Sequence, residues 1–152
     1  MMRRGKRGRI ILWAIAHASF VIASVVHAST DDPFGWRHYL TAAEWKEFDL
    51  TLQTFTNGAG MLAAQKDACG IEDEARNHFV KILTGTHLIR AGAEIEDQEK
   101  KYDAWRTVMR LPHCNFSNIE PIMKADTRYL TDMLNIQKTG LSRKASGEVP
   151  RR

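Results

Sequence analysis

Apolar residues recur every three or four positions along three long blocks of this 152-residue chain. That spacing places them on one face of an α-helix, and no stretch shows the sustained apolar–polar alternation that is typical of β-strands. In the first block they form a narrow stripe that continues to Cys69: Trp45, Phe48, Leu52, Phe55, Ala59 and Leu62. The pattern predicts an all-α fold, a small up-and-down bundle of three to four helices.

The first block carries its own start and stop signals. Thr41 and Glu44 are spaced as a capping box, in which each side chain satisfies a backbone amide of the other residue. Gly70 is a typical helix stop just after Cys69. Inside the block, Gly58 and Gly60 each disfavour a helix by up to about 1 kcal/mol. They indicate either a kink or a place where another helix packs closely.

The second block extends over residues 71–111 and changes the phase of its apolar face. A straight helix of about 40 residues would be roughly 60 Å long, too long for a lone domain of this size. We therefore expect a bend or a break around residues 85–92, where Gly85 and Gly92 lie, giving one kinked helix or two. Leu111 and Pro112 should end the block.

The third block begins after the stretch "RLPHCNFSNIE". Ser117 and Glu120 have the spacing of a second capping box, and Pro121 is tolerated in a first helical turn. Lys138 followed by Gly140 predicts the end of this helix. The bundle domain should therefore cover residues 41–138.

Residues 1–28 have the layout of a secretory signal peptide. "MMRRGKRGR" is basic and is followed by a 17-residue apolar run over residues 10–26. Val26 and Ala28 place small residues before a cut at Ser29, as signal peptidase requires. The alternative is an uncleaved inner-membrane anchor, although the run covers only roughly 25 Å of a ~30 Å hydrocarbon core. Either way the domain would lie outside the membrane, as a periplasmic or secreted protein.

Removing this leader also removes the basic character of the chain. The whole chain has 22 basic and 18 acidic residues, and five of the basic ones precede the cut, which leaves 17 against 18. A nearly neutral domain is not a nucleic-acid-binding protein, which would need clustered Lys and Arg on a structured face. Five of the remaining basic residues fall from Lys138 onward, and residues 139–152 resemble a basic disordered tail. Membrane contact is then expected only through an uncleaved N-terminal segment.

Cys69 and Cys114 are the two cysteines of the chain. An oxidising compartment makes an even pair a disulfide candidate, and both lie at helix ends that an antiparallel bundle can bring together. The alternative, a nucleophilic Cys114 with His113 as its base, is weaker because sequence neighbours usually point apart. We predict one Cys69–Cys114 disulfide.

Residues 29–40 form an aromatic segment that contains Phe34, Trp36 and Tyr39. These side chains either cover an open end of the bundle or form a surface for a partner. Packing is the commoner outcome, because a small bundle needs its open ends covered.

The sequence contains no nucleotide-binding loop, no HExxH zinc motif and no recognisable catalytic set, so it predicts no cofactor and no enzymatic activity. The preferred hypothesis is a non-enzymatic binding or accessory factor of the cell envelope, resembling a chaperone, an inhibitor or an assembly factor, whose partner is another envelope protein. The alternative is a metal-binding protein or metal-dependent enzyme that uses His78, His87 or His113. The narrow stripe of the first helix would also permit a homodimer.

Overall fold

The computed structural model describes residues 32–71, 74–110 and 112–150. Within these ranges the chain is helical and contains no strand, which confirms the predicted all-α bundle. The described ranges contain four α-helices and two short 3₁₀ helices. One 3₁₀ helix, Gly35–Tyr39, precedes the first α-helix, and the other, Phe116–Asn118, precedes the fourth. The α-helices are α1 (Ala42–Ala68), α2 (Ala75–Gly85), α3 (Ala93–Val108) and α4 (Ile119–Ser146).

The predicted export signal lies outside the described residues and stays a prediction. None of the helices in the ranges above is both long enough and apolar enough to cross a membrane.

Helix α1 begins and ends where the sequence predicts. The Glu44 amide donates to Thr41 Oγ1 at 3.2 Å and the Thr41 amide donates to Glu44 Oε2 at 2.8 Å, so the capping box is present. Cys69 is the C-terminal cap, and Gly70 follows with a φ of 64°. The helix is continuous through Gly58 and Gly60, which therefore do not break it.

The break predicted in the second block is confirmed, and it separates two helices. Residues between α2 and α3 turn the chain, and Gly92 precedes α3 with a φ of 88°, a conformation that favours glycine. The turn is anchored because Leu88 and Ile89 are buried in the core. Helix α3 ends at Val108, slightly before the predicted end.

The second predicted capping box is wrong. Ser117 does not cap α4; its amide and hydroxyl both donate to Asn115 Oδ1, at 3.2 Å and 2.5 Å. Asparagine readily accepts such a bond two residues along the chain, and the resulting turn leads into the 3₁₀ helix before α4. Helix α4 then starts after Asn118 without a side-chain cap.

The predicted end of the third block is also wrong. Helix α4 continues past Lys138 and Gly140 to Ser146, where Gly147 supplies a left-handed cap with a φ of 71°. Residues 139–146, which we expected in a disordered tail, are therefore its last turns. Gly140 is buried against the 3₁₀ helix, and a Cβ there would lie 2.5 Å from the Trp36 carbonyl oxygen. A tertiary contact thus overrides the local stop signal.

Two links hold α1 and α4 side by side. The predicted Cys69–Cys114 disulfide is present, and its sequence separation of 45 residues corresponds to about 4 kcal/mol of loop-closure entropy removed from the unfolded chain. At the other end of α1, the Arg143 guanidinium donates two hydrogen bonds to Glu44, at 2.6 Å and 2.9 Å. These bonds are the main reason that the pKa of Glu44 is lowered to about 2.

Gly60 marks a close approach between α1 and α3. A Cβ at this position would lie 2.6 Å from the Tyr102 carbonyl oxygen and 2.8 Å from Trp105 Cβ. Of the two interpretations that the sequence left open for the glycines of α1, close helix packing is the one that the structure supports.

We expect Gly60→Ala to lower the free energy of unfolding by about 2 kcal/mol, because the added methyl group meets backbone that cannot move aside. Gly85→Ala is the matched control: that position is helical and exposed, with nothing within 4 Å of an added Cβ. It should raise stability by up to about 1 kcal/mol. Urea denaturation of both variants measures the difference, and equal effects would contradict the close approach of α1 to α3.

Candidate functional site

A half-open groove lies where α1, α2 and α4 meet over α3, with a volume of about 180 Å³. We call it the central groove. Its walls are mainly apolar and come from three helices: Phe55, Ala59, Leu62, Phe79, Ile82 and Leu130. A concave apolar site with a few polar groups is the usual form of a small-molecule binding site.

Three aromatic rings from different helices line the groove in a row. Phe55 of α1 stacks on Phe79 of α2 with centroids 5.9 Å apart, and Phe79 stacks on Tyr102 of α3 at 5.0 Å. All three side chains are almost completely buried. They pack in the core and at the same time present an aromatic lining to the groove.

Asp126 of α4 is the unusual polar group of the central groove. The residue is 8% exposed, and its Oδ1 is buried without a hydrogen-bond partner. Burial alone raises the pKa of this carboxyl to about 7, because no neighbouring positive charge or donor offsets the loss of solvation. Asp126 can therefore be neutral or ionised close to neutral pH.

Gly58 of α1 makes room for this carboxyl. A Cβ at residue 58 would collide with Asp126 Oδ1, so any other side chain there would displace it. Asp126 thus sits in a recess that the sequence provides on the opposite helix. The two glycines of α1 serve different contacts, since Gly60 faces the backbone of α3.

The mouth of the groove is more polar than its interior. Lys66 of α1 and His78 of α2 line it, and both also line an adjoining depression with Glu74 and Lys81. On the α4 side the lining includes Met123, which is 48% exposed. A ligand would therefore pass charged side chains and a flexible thioether before it reached the aromatic rings.

Asp126 was missed in the sequence analysis, although a signal was present. It lies four residues after Ile122 and four before Leu130, in the middle of the apolar face of α4. A carboxyl at a core position destabilises a fold unless it is paired, and such groups concentrate at functional sites. The polar neighbours in "KADTR" made the residue look like part of a solvent-exposed face.

The structure settles the packing of the aromatic segment. Trp36 is completely buried and contacts Phe48 at a centroid distance of 5.4 Å, so of the two alternatives this side chain follows the preferred one, packing. The segment covers the end of the bundle because its 3₁₀ helix places this side chain inward. Phe34 is half-buried between the guanidinium groups of Arg37 and Arg90, each 5.1 Å from its centroid. Tyr39 is also half-buried.

The three histidines of the metal-binding alternative lie on different elements. His78 lines the mouth of the groove, His87 lies in the turn after α2 with its ring 5.9 Å from that of Phe34, and His113 is exposed beside the disulfide. In the described part of the chain, no three His, Cys, Asp or Glu residues are grouped as a metal site. The structure therefore gives this alternative no support.

No protein-family model, curated protein or solved structure is significantly similar to this chain.

We expect Asp126→Asn to be more stable than the wild type at pH 8, by roughly 1–3 kcal/mol, because the amide avoids burying a charge. The folded-state pKa of Asp126 is raised from 3.8 to about 7, so its neutral form favours folding at low pH and that benefit is lost as the pH rises through 7. The gain should therefore shrink towards zero at pH 4.

Urea denaturation at both pH values tests this dependence. The control is Asp49→Asn, which removes an exposed carboxylate from α1 and should show no gain at pH 8. A variant at position 126 that is no more stable than the wild type at pH 8 would mean that the buried carboxyl costs the fold nothing.

Proposed function

We propose that this chain is an exported, non-enzymatic binding protein of the cell envelope, and that its central groove takes up a small ligand with an apolar body. One observation carries the proposal: an apolar groove, open to solvent, contains a buried carboxyl with no hydrogen bond or ion pair to any of the described residues. Protein interiors are close-packed and buried polar groups are normally paired. The groove departs from close packing and the Asp126 carboxyl departs from pairing, and both departures occur at the same place.

The size of the groove limits the ligand. A cavity of about 150 Å³ can hold benzene, and this groove has about 180 Å³. A phenyl ring or a branched alkyl group with a short chain fits that space, whereas a long acyl chain or a folded peptide segment does not. The accessory role expected from the sequence then becomes the uptake of a small molecule.

The frame around the groove favours binding without rearrangement. The disulfide and the Arg143–Glu44 ion pair fix both ends of α1 relative to α4, and both helices line the groove. A preformed site loses little conformational entropy when a ligand enters. Binding is preferred over catalysis because Asp126 has no second acid, base or nucleophile hydrogen-bonded to it.

The proposed location rests on two features. The leader pattern of residues 1–28 is typical of export, and a disulfide that closes a 45-residue separation is typical of proteins in oxidising compartments. A periplasmic or secreted protein has both, and so does a domain held outside the membrane by an uncleaved anchor.

A neutral apolar probe tests the groove. We expect 2-phenylethanol to bind the purified protein and to shift the NMR methyl signals of Ala59 and Met123 more than those of residues elsewhere. Ala59→Trp should abolish binding because the indole fills the groove. Leu50→Trp, a matched substitution at an exposed position of α1, should leave binding unchanged.

Two results would count against the proposed function. One is a set of probe shifts spread evenly over the surface, and the other is retention of binding in Ala59→Trp. Conversion of the probe by the wild type would show that the protein is an enzyme.

Export is tested by the mass of the processed protein. We expect the form recovered from the periplasm or medium of a bacterial host to begin at Ser29. Ala28→Leu should block cleavage because signal peptidase needs a small residue there, whereas Ala23→Leu, inside the apolar run, should not. An intact Met1 on wild-type protein in the cytoplasm would contradict export.

A further inference from the structure

We infer that the ligand of the central groove is a compact apolar amine, whose ammonium group pairs with Asp126 while its apolar body lies against the aromatic rings. This inference rests on the proposed function, since it names the chemical class of ligand for the same groove. Three observations lead to it: the unpaired carboxyl, the aromatic lining and the small volume.

The carboxyl sets the requirement for the head group. Asp126 is more than nine-tenths buried and lines the groove. Its Oδ1 lies in the recess at Gly58, so Oδ2, which has no hydrogen bond within the described part of the chain, is the atom that a ligand donor would meet. A ligand gains most by supplying what is missing, namely a donor, and an ammonium supplies both donors and the opposite charge. The protein has already lost the solvation of this group in folding, so pairing recovers part of that loss.

The aromatic lining accommodates the apolar body of such a ligand. Phe55, Phe79 and Tyr102 line the same groove as Asp126. Phe79 stacks on both of the other rings, and all three side chains are almost completely buried, so they offer apolar contact surface rather than open ring faces. A ligand carboxylate would meet repulsion from Asp126, which favours an amine over an acid.

Positive charges at the mouth of the groove oppose the binding of an amine, but the attraction of Asp126 is stronger. The charged and titratable groups that line the groove besides Asp126 are Lys66 on α1, His78 on α2 and Tyr102 on α3. His78 is exposed, so its effect on a ligand is screened by water and salt. The attraction of Asp126 acts in the buried interior, where the effective dielectric constant is several-fold lower.

The inference also predicts how the affinity for an amine changes with pH. The amine binds the ionised form of Asp126, so its affinity should rise between pH 5.5 and pH 8, while a neutral ligand of the same shape should show little change. In Asp126→Asn the rise that is due to this carboxyl should disappear, because the variant has no carboxyl to ionise at that position.

Three ligands of one shape provide the test, measured by calorimetric titration at pH 8: 2-phenylethylamine, 2-phenylethanol and phenylacetate. We expect the wild type to bind the amine at least about tenfold more tightly than the alcohol, as a charged hydrogen bond to a buried group implies. Phenylacetate should bind most weakly. In Asp126→Asn the amine and the alcohol should bind equally, and retained alcohol binding would show that the groove of the variant is intact.

The outcomes distinguish the inference from the proposed function. Equal binding of amine and alcohol by the wild type, or tighter binding of phenylacetate, would overturn the choice of an amine and leave an apolar groove of another specificity. Failure of all three ligands would overturn both. An amine preference that persists in Asp126→Asn would show that Asp126 is not the partner of the ammonium group.

Discussion

The fold depends on α1 and α4 being joined at both of their ends. The disulfide links the end of α1 to the chain just before α4, and Arg143, near the end of α4, pairs with the capping glutamate of α1. The two helices are thus held antiparallel as a frame, and α2 and α3 pack against it. Two of the helices that line the central groove therefore belong to this frame and are positioned by a covalent bond and a bidentate ion pair, whereas α2 supplies the remaining wall.

At the central groove, Asp126 departs from what stability alone would select. Asp126 occupies a core position on α4, although the residues four positions before and after it are apolar. Gly58 on α1 leaves space for its carboxyl. Replacing both by ordinary core residues would fill the recess and remove a buried charge. Proteins keep such groups where a ligand or a reaction needs them, at the expense of stability. This balance is why the groove, rather than the exposed histidines, is the basis for the function proposed.

The sequence predicted those parts of the fold that depend on local pattern. The helical class, the Thr41–Glu44 cap, the break near Gly85 and Gly92, and the disulfide all follow from spacing or from residue type. The errors came from contacts between distant segments. Asn115 competes with Ser117 at the start of α4, and Trp36 covers Gly140 so that the helix continues. Asp126 was missed although its place on the apolar face of α4 was a signal, and the recess that Gly58 of α1 provides for it could not be read from its own helix.

The contact between Gly140 and Trp36 also bears on the order in which the chain can fold. Trp36 is among the largest completely buried side chains, and its backbone carbonyl lies against Gly140, near the end of α4. The Tyr39 carbonyl accepts a hydrogen bond from Arg143, which lies 104 residues further along the chain. The first described segment can pack on Phe48 of α1 early, but its cover over α4 is completed only when nearly the whole chain is present. The core of such a chain cannot close completely during synthesis, which is compatible with the export proposed above.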